Sequence, residues 1–169
     1  MQVLETQRLV LREIEAADAP FILELHTDPS FLANIGDRGV HDLPSAVNYI
    51  ETNPRASYAR NGYGLWLVVS KETGEPLGMA GIVRRDTLPD ADIGYAFLPR
   101  HWSKGYAVEA CTAVRDHAMR TLALPRLLAI VSPGNAASVK VLERIGLTFR
   151  DTVRMGSQDL QLFAVEAAG

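Results

Sequence analysis

Apolar and polar residues alternate with a period of two along Arg8–Ile14 (RLVLREI). Leu9, Leu11 and Glu13 lie on one side and Val10, Arg12 and Ile14 on the other, which predicts a first strand. The period then lengthens. Asp18 offers an N-cap, and Phe21, Ile22 and Leu25 form the apolar face of a helix. Residues 27–43 carry Pro29, Gly36 and Gly39 and read as irregular. Ser45 reads as the cap of a second helix carrying Val47, Ile50 and Tyr58. Pro54 should break or kink that helix, because its ring removes a backbone donor and crowds the preceding turn.

A strongly apolar strand follows over 64–70 (GLWLVVS). The turn Glu72-Thr73-Gly74-Glu75 folds it onto a partner over 76–84 (PLGMAGIVR), where Gly78 and Gly81 permit a bulge or a close backbone approach. Residues 92–98 (DIGYAFL) are the next strand. From 106 to 121 the period is helical, with Ala107, Ala110, Cys111, Val114 and Ala118 on one face, and Pro125 marks its limit. Residues 127–132 read as a buried strand. Asn135 caps a short helix that turns Val139 and Leu142 inward and that Gly146 ends. Residues 147–155 and 157–165 close the chain as paired strands. The order β-α-α-β-β-β-α-β-α-β-β predicts a mixed sheet layered with helices, α/β or α+β in class, and not a simple parallel doubly wound fold.

At 169 residues the chain fits one domain, 1–169, and 47% hydrophobic residues suffice for one core. A net charge of -3 argues against a general nucleic-acid binder. Basic residues recur between Arg100 and Arg126, which leaves a local site for an anionic ligand open. The single cysteine, Cys111, excludes an internal disulfide, and its place on the core face of a helix marks a buried thiol. The first residues have no apolar run of signal-peptide type, and no stretch approaches the roughly 18 apolar residues of a membrane span, so a cytoplasmic protein without a membrane partner is expected. His26, His41, His101 and His117 lack a metal-ligand spacing, and no metal is expected.

The chemistry concentrates in Phe97–Ala107 (FLPRHWSKGYA), a strand end and loop feeding a helix start. A helix N-terminus leaves backbone N–H groups unpaired and carries partial positive charge, so such a loop can cradle a pyrophosphate. Gly105 removes a side chain where a ligand must come close, Ala107 does nearly the same, and Lys104 adds a point charge. On this loop alone an ordinary helix start with a glycine for steric fit explains the residues equally well.

The run ADIGYAFLPRHWSKGYAVEA, then SPGNAASVKVLERIGLTF, resembles the GNAT superfamily of acetyltransferases, and with the opening TQRLVLREI it resembles more narrowly the Rim-type branch of ribosomal-protein N-terminal acetyltransferases. The resemblance spans nearly the whole chain. It implies a mostly antiparallel central sheet of about seven strands with helices on both faces, and acetyl-CoA as co-substrate. In the superfamily's phosphate loop, Q/R-x-x-G-x-G/A, Trp102 takes the first place, Gly105 the fourth and Ala107 the sixth; Trp departs from the wider pattern but is usual in the branch. The resemblance implies that the backbone of Ser103, Lys104, Gly105, Tyr106 and Ala107 holds the CoA pyrophosphate, and that Phe97 and Leu98 pair with the pantetheine arm as an added strand would. Arg100, His101 and Lys104 are placed to neutralise phosphates. Asn135 matches a residue that bonds the CoA arm, besides being a helix N-cap. Ser138 matches a residue near the CoA sulfur that serves as acid for the departing thiolate; otherwise it is a first-turn polar residue facing solvent. Lys140 is within reach of a CoA phosphate or is simply solvated.

The reaction so implied is direct attack of a primary amine on the thioester, with no covalent intermediate. The amine must be neutral. A protein α-amine with a pKa of about 7.7–8.0 is roughly one-tenth free near pH 7, whereas a lysine near 10.4 is free at roughly one part in a few thousand. Asp92 matches a position where the branch carries an acidic residue and is the candidate base, directly or through water; a solvated strand-edge carboxylate is the plain alternative. Glu13 and Glu109 are weaker candidates. A protein N-terminus, an antibiotic, a polyamine or an amino acid all remain open as acceptor, as does a CoA-binding sensor without turnover. A homodimer is compatible with the family and has no sequence signal of its own.

Overall fold

The protein is described by a computed structural model covering residues 1–167. In chain order the elements are β1 (Gln2–Glu5), β2 (Leu9–Arg12), α1 (Ala19–Thr27), α2 (Pro29–Asn34), α3 (Leu43–Thr52), α4 (Pro54–Asn61), β3 (Leu65–Ser70), β4 (Pro76–Val83), β5 (Asp92–Phe97), α5 (Tyr106–Asp116), β6 (Arg126–Val131), α6 (Ala136–Arg144), β7 (Thr148–Met155) and β8 (Gln158–Glu166). The strands form one sheet of eight in the order β1-β2-β3-β4-β5-β6-β8-β7, not the seven expected. The added strand is β1, whose four residues lie at a sheet edge with no fully buried position, so it lacks the alternation that marks the others.

Every neighbouring pair is antiparallel except β5 and β6. β3 and β4 read as nearly continuous apolar runs because helices cover both faces of the sheet at its centre. On one face Trp66, Leu77, Ala80 and Ile82 pack with Ala110, Cys111 and Val114 of α5. On the other, Leu67, Met79, Ala96 and Leu98 pack with Ile22, Leu25, Ala46 and Ile50 of α1 and α3. Trp66 is 1% exposed, and fully burying one such side chain contributes about 1.5–3 kcal/mol. A methyl group at Gly78 or Gly81 would overlap the carbonyl oxygens of Ala96 and Gly64, so these two positions admit no side chain. The register slips beside Gly78, between Val68 and Val69.

The region expected to be irregular contains a helix. Pro29 is not a breaker there but the first residue of α2, the one place where a missing N–H is harmless, and the Asp28 carboxylate accepts from the Ser30 N–H at 2.9 Å. Capping also differs in α3. Asp42, not Ser45, is its N-cap; it accepts from the Ser45 N–H, and the Ser45 hydroxyl accepts in return from the Asp42 N–H. Asp18 occupies the N-cap position of α1 without bonding that helix, because its carboxylate is held by Arg12 at 2.7 and 2.9 Å. Pro54 does end α3 and starts α4. Beyond Asp116, α5 continues as a π turn over His117–Thr121.

What positions a site is the splay between the two parallel strands. β5 and β6 share the pair Asp92–Leu128 and the bond from the Leu128 N–H to the Ala91 carbonyl at 3.0 Å. Past it they separate, leaving a crevice between the C-terminal ends of both.

Candidate active site

One lip of the crevice is the end of β5. The Leu98 N–H donates to Leu77 of β4 at 3.2 Å, and the Leu98 carbonyl accepts from the His101 N–H at 2.9 Å. By the alternation of a strand, the N–H and carbonyl of Phe97 face the crevice instead. Of the two residues expected to offer their backbone to a ligand, Leu98 is therefore already engaged, and its side chain is buried toward α1 and α3. The Phe97 carbonyl accepts from the Trp102 indole N–H at 2.8 Å. That bond explains a tryptophan at the head of the loop: it folds the chain back onto the strand end.

The loop then turns through two left-handed residues, Ser103 (φ 61°) and Gly105 (φ 80°). Gly105 is the N-cap of α5, and no side chain caps the helix there. The first N–H groups of α5 are thus left for a ligand. A side chain at Gly105 would be strained by φ and would approach Arg8 Nη2 to 3.3 Å. Arg8 holds the loop from behind. It donates to the Lys104 carbonyl at 2.9 Å, lies over the Tyr106 ring at 4.5 Å and pairs with Glu109 at 2.6 Å. Glu109 also accepts from the Thr6 hydroxyl at 2.5 Å and the Arg8 N–H at 2.9 Å. Burial alone would raise the Glu109 carboxyl, but these bonds outweigh it and hold it below its ordinary value. The Glu109 carboxylate is engaged in tying Thr6 and Arg8 to the first turn of α5. Ala107 is half-buried in the next turn.

The cationic side chains diverge. Arg100 pairs with Glu24 at 2.9 Å and Glu75 at 3.2 Å. His101 is buried beside Glu75, and burial lowers its pKa, so it is neutral near pH 7. Lys104 is exposed, with no ion-pair partner among the described residues.

The opposite lip is the start of α6. Asn135 caps it, its Oδ1 accepting from the Ser138 N–H at 3.3 Å. The Ser138 hydroxyl lies 2.8 Å from the Tyr95 hydroxyl of β5, bridging the crevice. Lys140 lines an open groove of about 470 Å³ between α5 and α6, together with Val108, Val141, Glu143 and Arg144. Tyr95 and Arg144 carried no sequence signal: a hydroxyl pair 43 residues apart and a groove between two helices appear only on folding.

Asp92 lies elsewhere. Successive β5 side chains alternate, so Ile93, Tyr95 and Phe97 face α5 while Asp92 and Ala96 face the layer of α1 and α3. Asp92 is not a solvated edge residue. It pairs with strands on both sides, is 1% exposed, and receives Arg85 Nε at 3.1 and 3.2 Å on its two oxygens. Burial pushes its carboxyl up to about 6 against the pull of Arg85. Tyr49 of α3 is buried in the layer on that side of the sheet, its hydroxyl raised to about 12 by burial although Arg38 and Arg85 oppose the rise. Asp92 and Ser138 are thus not brought together; they stand on opposite faces of β5. Glu13 sits 3.9 Å from Arg55. Cys111 is fully buried in the core, and burial raises its thiol pKa far above the ordinary range. Among the described residues no cluster suited to a metal ion is found, and no helix is long and apolar enough to cross a membrane.

A family model described as "Acetyltransferase (GNAT) domain" matches residues 8–148. The uncharacterized protein YkkB of Bacillus subtilis is 33% identical over 165 residues, 95% of this chain and 93% of that protein. The crystal structure of an acetyltransferase from Agrobacterium tumefaciens superposes with a TM-score of 0.84 at 34% identity, covering 98% of this chain and 94% of that one. RimL, a ribosomal L7/L12 alpha-N-protein acetyltransferase in complex with coenzyme A, shares the fold at a TM-score of 0.83 and 17% identity, with 99% and 98% covered. A splayed β5–β6 pair, a glycine-capped α5 and this match across most of its length place the chain in the GNAT family of acetyltransferases.

Proposed function

We propose that the chain, as one domain, transfers an acetyl group from acetyl-CoA to a primary amine by direct attack, with a protein N-terminal α-amine as the acceptor. The observation that carries this reading is the uncapped start of α5 at left-handed Gly105, set at the mouth of the β5–β6 crevice. A pyrophosphate fits there on the N–H groups of residues 103–107. The pantetheine arm then runs into the crevice along Phe97, whose N–H faces it, and past Asn135. Lys104 at one end and Lys140 with Arg144 at the other supply positive charge for the phosphates. Arg100 instead braces the loop through Glu24 and Glu75, and His101 is buried beneath it.

The acceptor enters from the opposite face of β5, on the side of Asp92. Its nitrogen bonds to the thioester carbon while the Phe97 N–H polarises the carbonyl oxygen. The amine proton passes to Asp92 through water, the C–S bond breaks, and Ser138 meets the departing sulfur with its hydroxyl. A carboxyl with a pKa of about 6 is a mild base, which suits an α-amine that is already partly neutral and not a lysine side chain.

The test is acetyl-CoA consumption against N-terminal peptides, polyamines, aminoglycosides and amino acids. Turnover with α-amino peptides supports the reading. Turnover of lysine side chains but not of α-amines would overturn the acceptor, and CoA binding without turnover across the panel would overturn the enzyme.

A further inference from the structure

We infer that Tyr95 is a positioning residue for the departing thiolate: by donating its hydrogen bond to Ser138 it leaves the Ser138 O–H directed at the sulfur in the crevice. The inference rests on acyl-CoA being the occupant of that crevice.

The two hydroxyls lie 2.8 Å apart, Tyr95 on β5 and Ser138 on α6, where the strands have already parted. Neither has another hydrogen-bond partner among the described residues; the Asn135 side chain takes only the Ser138 backbone N–H. Two hydroxyls joined by one bond hold two protons, so one O–H is left to point elsewhere. A phenol is a stronger acid than an aliphatic alcohol and therefore the better donor. Tyr95 donates, Ser138 accepts, and the Ser138 proton remains for the crevice. A hydroxyl that accepts one bond becomes a stronger donor in the next.

Tyr95 orients this proton and does not relay its own. Burial pushes its phenol up to about 12, which makes a phenolate next to the core unfavourable. The titratable group facing it from α5 is the Cys111 thiol, which burial keeps protonated. From its own strand the nearest ring is Phe97, at 6.4 Å, and Asp92 lies on the other face. When the C–S bond breaks, its electron pair stays on sulfur. The thiolate leaves hydrogen-bonded to Ser138 and takes its proton from water, while the proton shed by the amine has gone to the Asp92 side.

A bond that merely clamped β5 to α6 would not alter the acidity of a thiol in the crevice. The test therefore titrates the thiol of CoA bound to the wild-type protein, Tyr95→Phe, Ser138→Ala and the double variant, reading thiolate ultraviolet absorbance, with CoA affinity at acidic pH and melting temperature in parallel. We expect Tyr95→Phe to lower the acid dissociation constant of bound CoA by about three- to tenfold, the scale of one ordinary hydrogen bond, because the variant removes the orienting bond while the Ser138 hydroxyl itself remains. CoA affinity should stay within about twofold, and the double variant should match Ser138→Ala. Bound CoA with an unaltered thiol in Tyr95→Phe, or effects of the two substitutions that add, would overturn the inference alone. Failure of the wild-type protein to bind CoA would overturn the underlying reading as well.

Discussion

Arg85 places its Nε 3.1 Å from Asp92 Oδ1 and 3.2 Å from Oδ2, and this one nitrogen is the side-chain donor to a carboxylate that is 1% exposed. The contact is too sparse to hold the charge as strongly as water would, and burial prevails, raising Asp92 from 3.8 to about 6. The folded protein therefore binds this proton more tightly than the unfolded chain, and ionised Asp92 opposes folding. Stability should fall as pH rises from about 4 to 6, by about 2–3 kcal/mol from this group. Urea unfolding of the wild-type protein and Asp92→Asn across that range checks it: buried His26, lowered to about 4, adds an opposite slope to both proteins, so the Asp92 contribution is read from the difference between them, which should move in favour of the variant as pH rises. With acceptor saturating, kcat should fall tenfold per pH unit below about 6, and Asp92→Asn should lose about a hundredfold.

Glu109 has the opposite sign. Its carboxylate receives Arg8 and Thr6 and is held below its ordinary value of 4.5, so it contributes stability that is present above that value and is lost as pH falls through the lowered one. Glu109→Gln should cost about 1–3 kcal/mol at neutral pH in denaturant unfolding. The difference should fade in acid. Because Arg8 also holds the Lys104 carbonyl, the same variant should weaken acetyl-CoA binding through a loosened loop.

Ser138 offers a kinetic separation. Its backbone N–H caps with Asn135, but its hydroxyl faces Tyr95 across the crevice. Ser138→Ala leaves the first contact intact and removes the second. Steady-state kinetics should show kcat lowered by about a hundredfold with acetyl-CoA affinity within about threefold. Equal losses in both would make Ser138 a binding residue.

Much of this arrangement was legible in the sequence because local rules fixed it. The apolar runs of β3 and β4, the helix after Gly105 and the cap at Asn135 each follow from short-range periodicity or a single turn residue. Local competition hid the rest. Pro29 reads equally as a breaker or as a first helical residue, and only the Asp28 cap decides. Asp42 and Ser45 are both good caps, and their reciprocal bond shows which one ends the loop. β1 is too short to alternate, and it exists because β2 offers it a partner. In the site, Gly105 and Asn135 declare themselves, whereas the surroundings of Asp92 depend on Arg85 folding back from the β4–β5 connection. A carboxylate at a strand start looks solvated until a second strand is laid against it.

The uncapped start of α5 at Gly105 is the proposed seat of acyl-CoA. Calorimetric binding of acetyl-CoA to the wild-type protein, Gly105→Ala and Gly105→Glu tests it most directly, with melting curves showing that each is folded. Alanine carries the backbone strain of the left-handed position without charge. Expected are binding by the wild-type protein, modest weakening in Gly105→Ala and a loss of at least about a hundredfold in folded Gly105→Glu, whose carboxylate is directed at Arg8, competes with the Lys104 carbonyl for that guanidinium and pulls the phosphate loop out of place. Acetyl-CoA affinity unchanged in Gly105→Glu would contradict it.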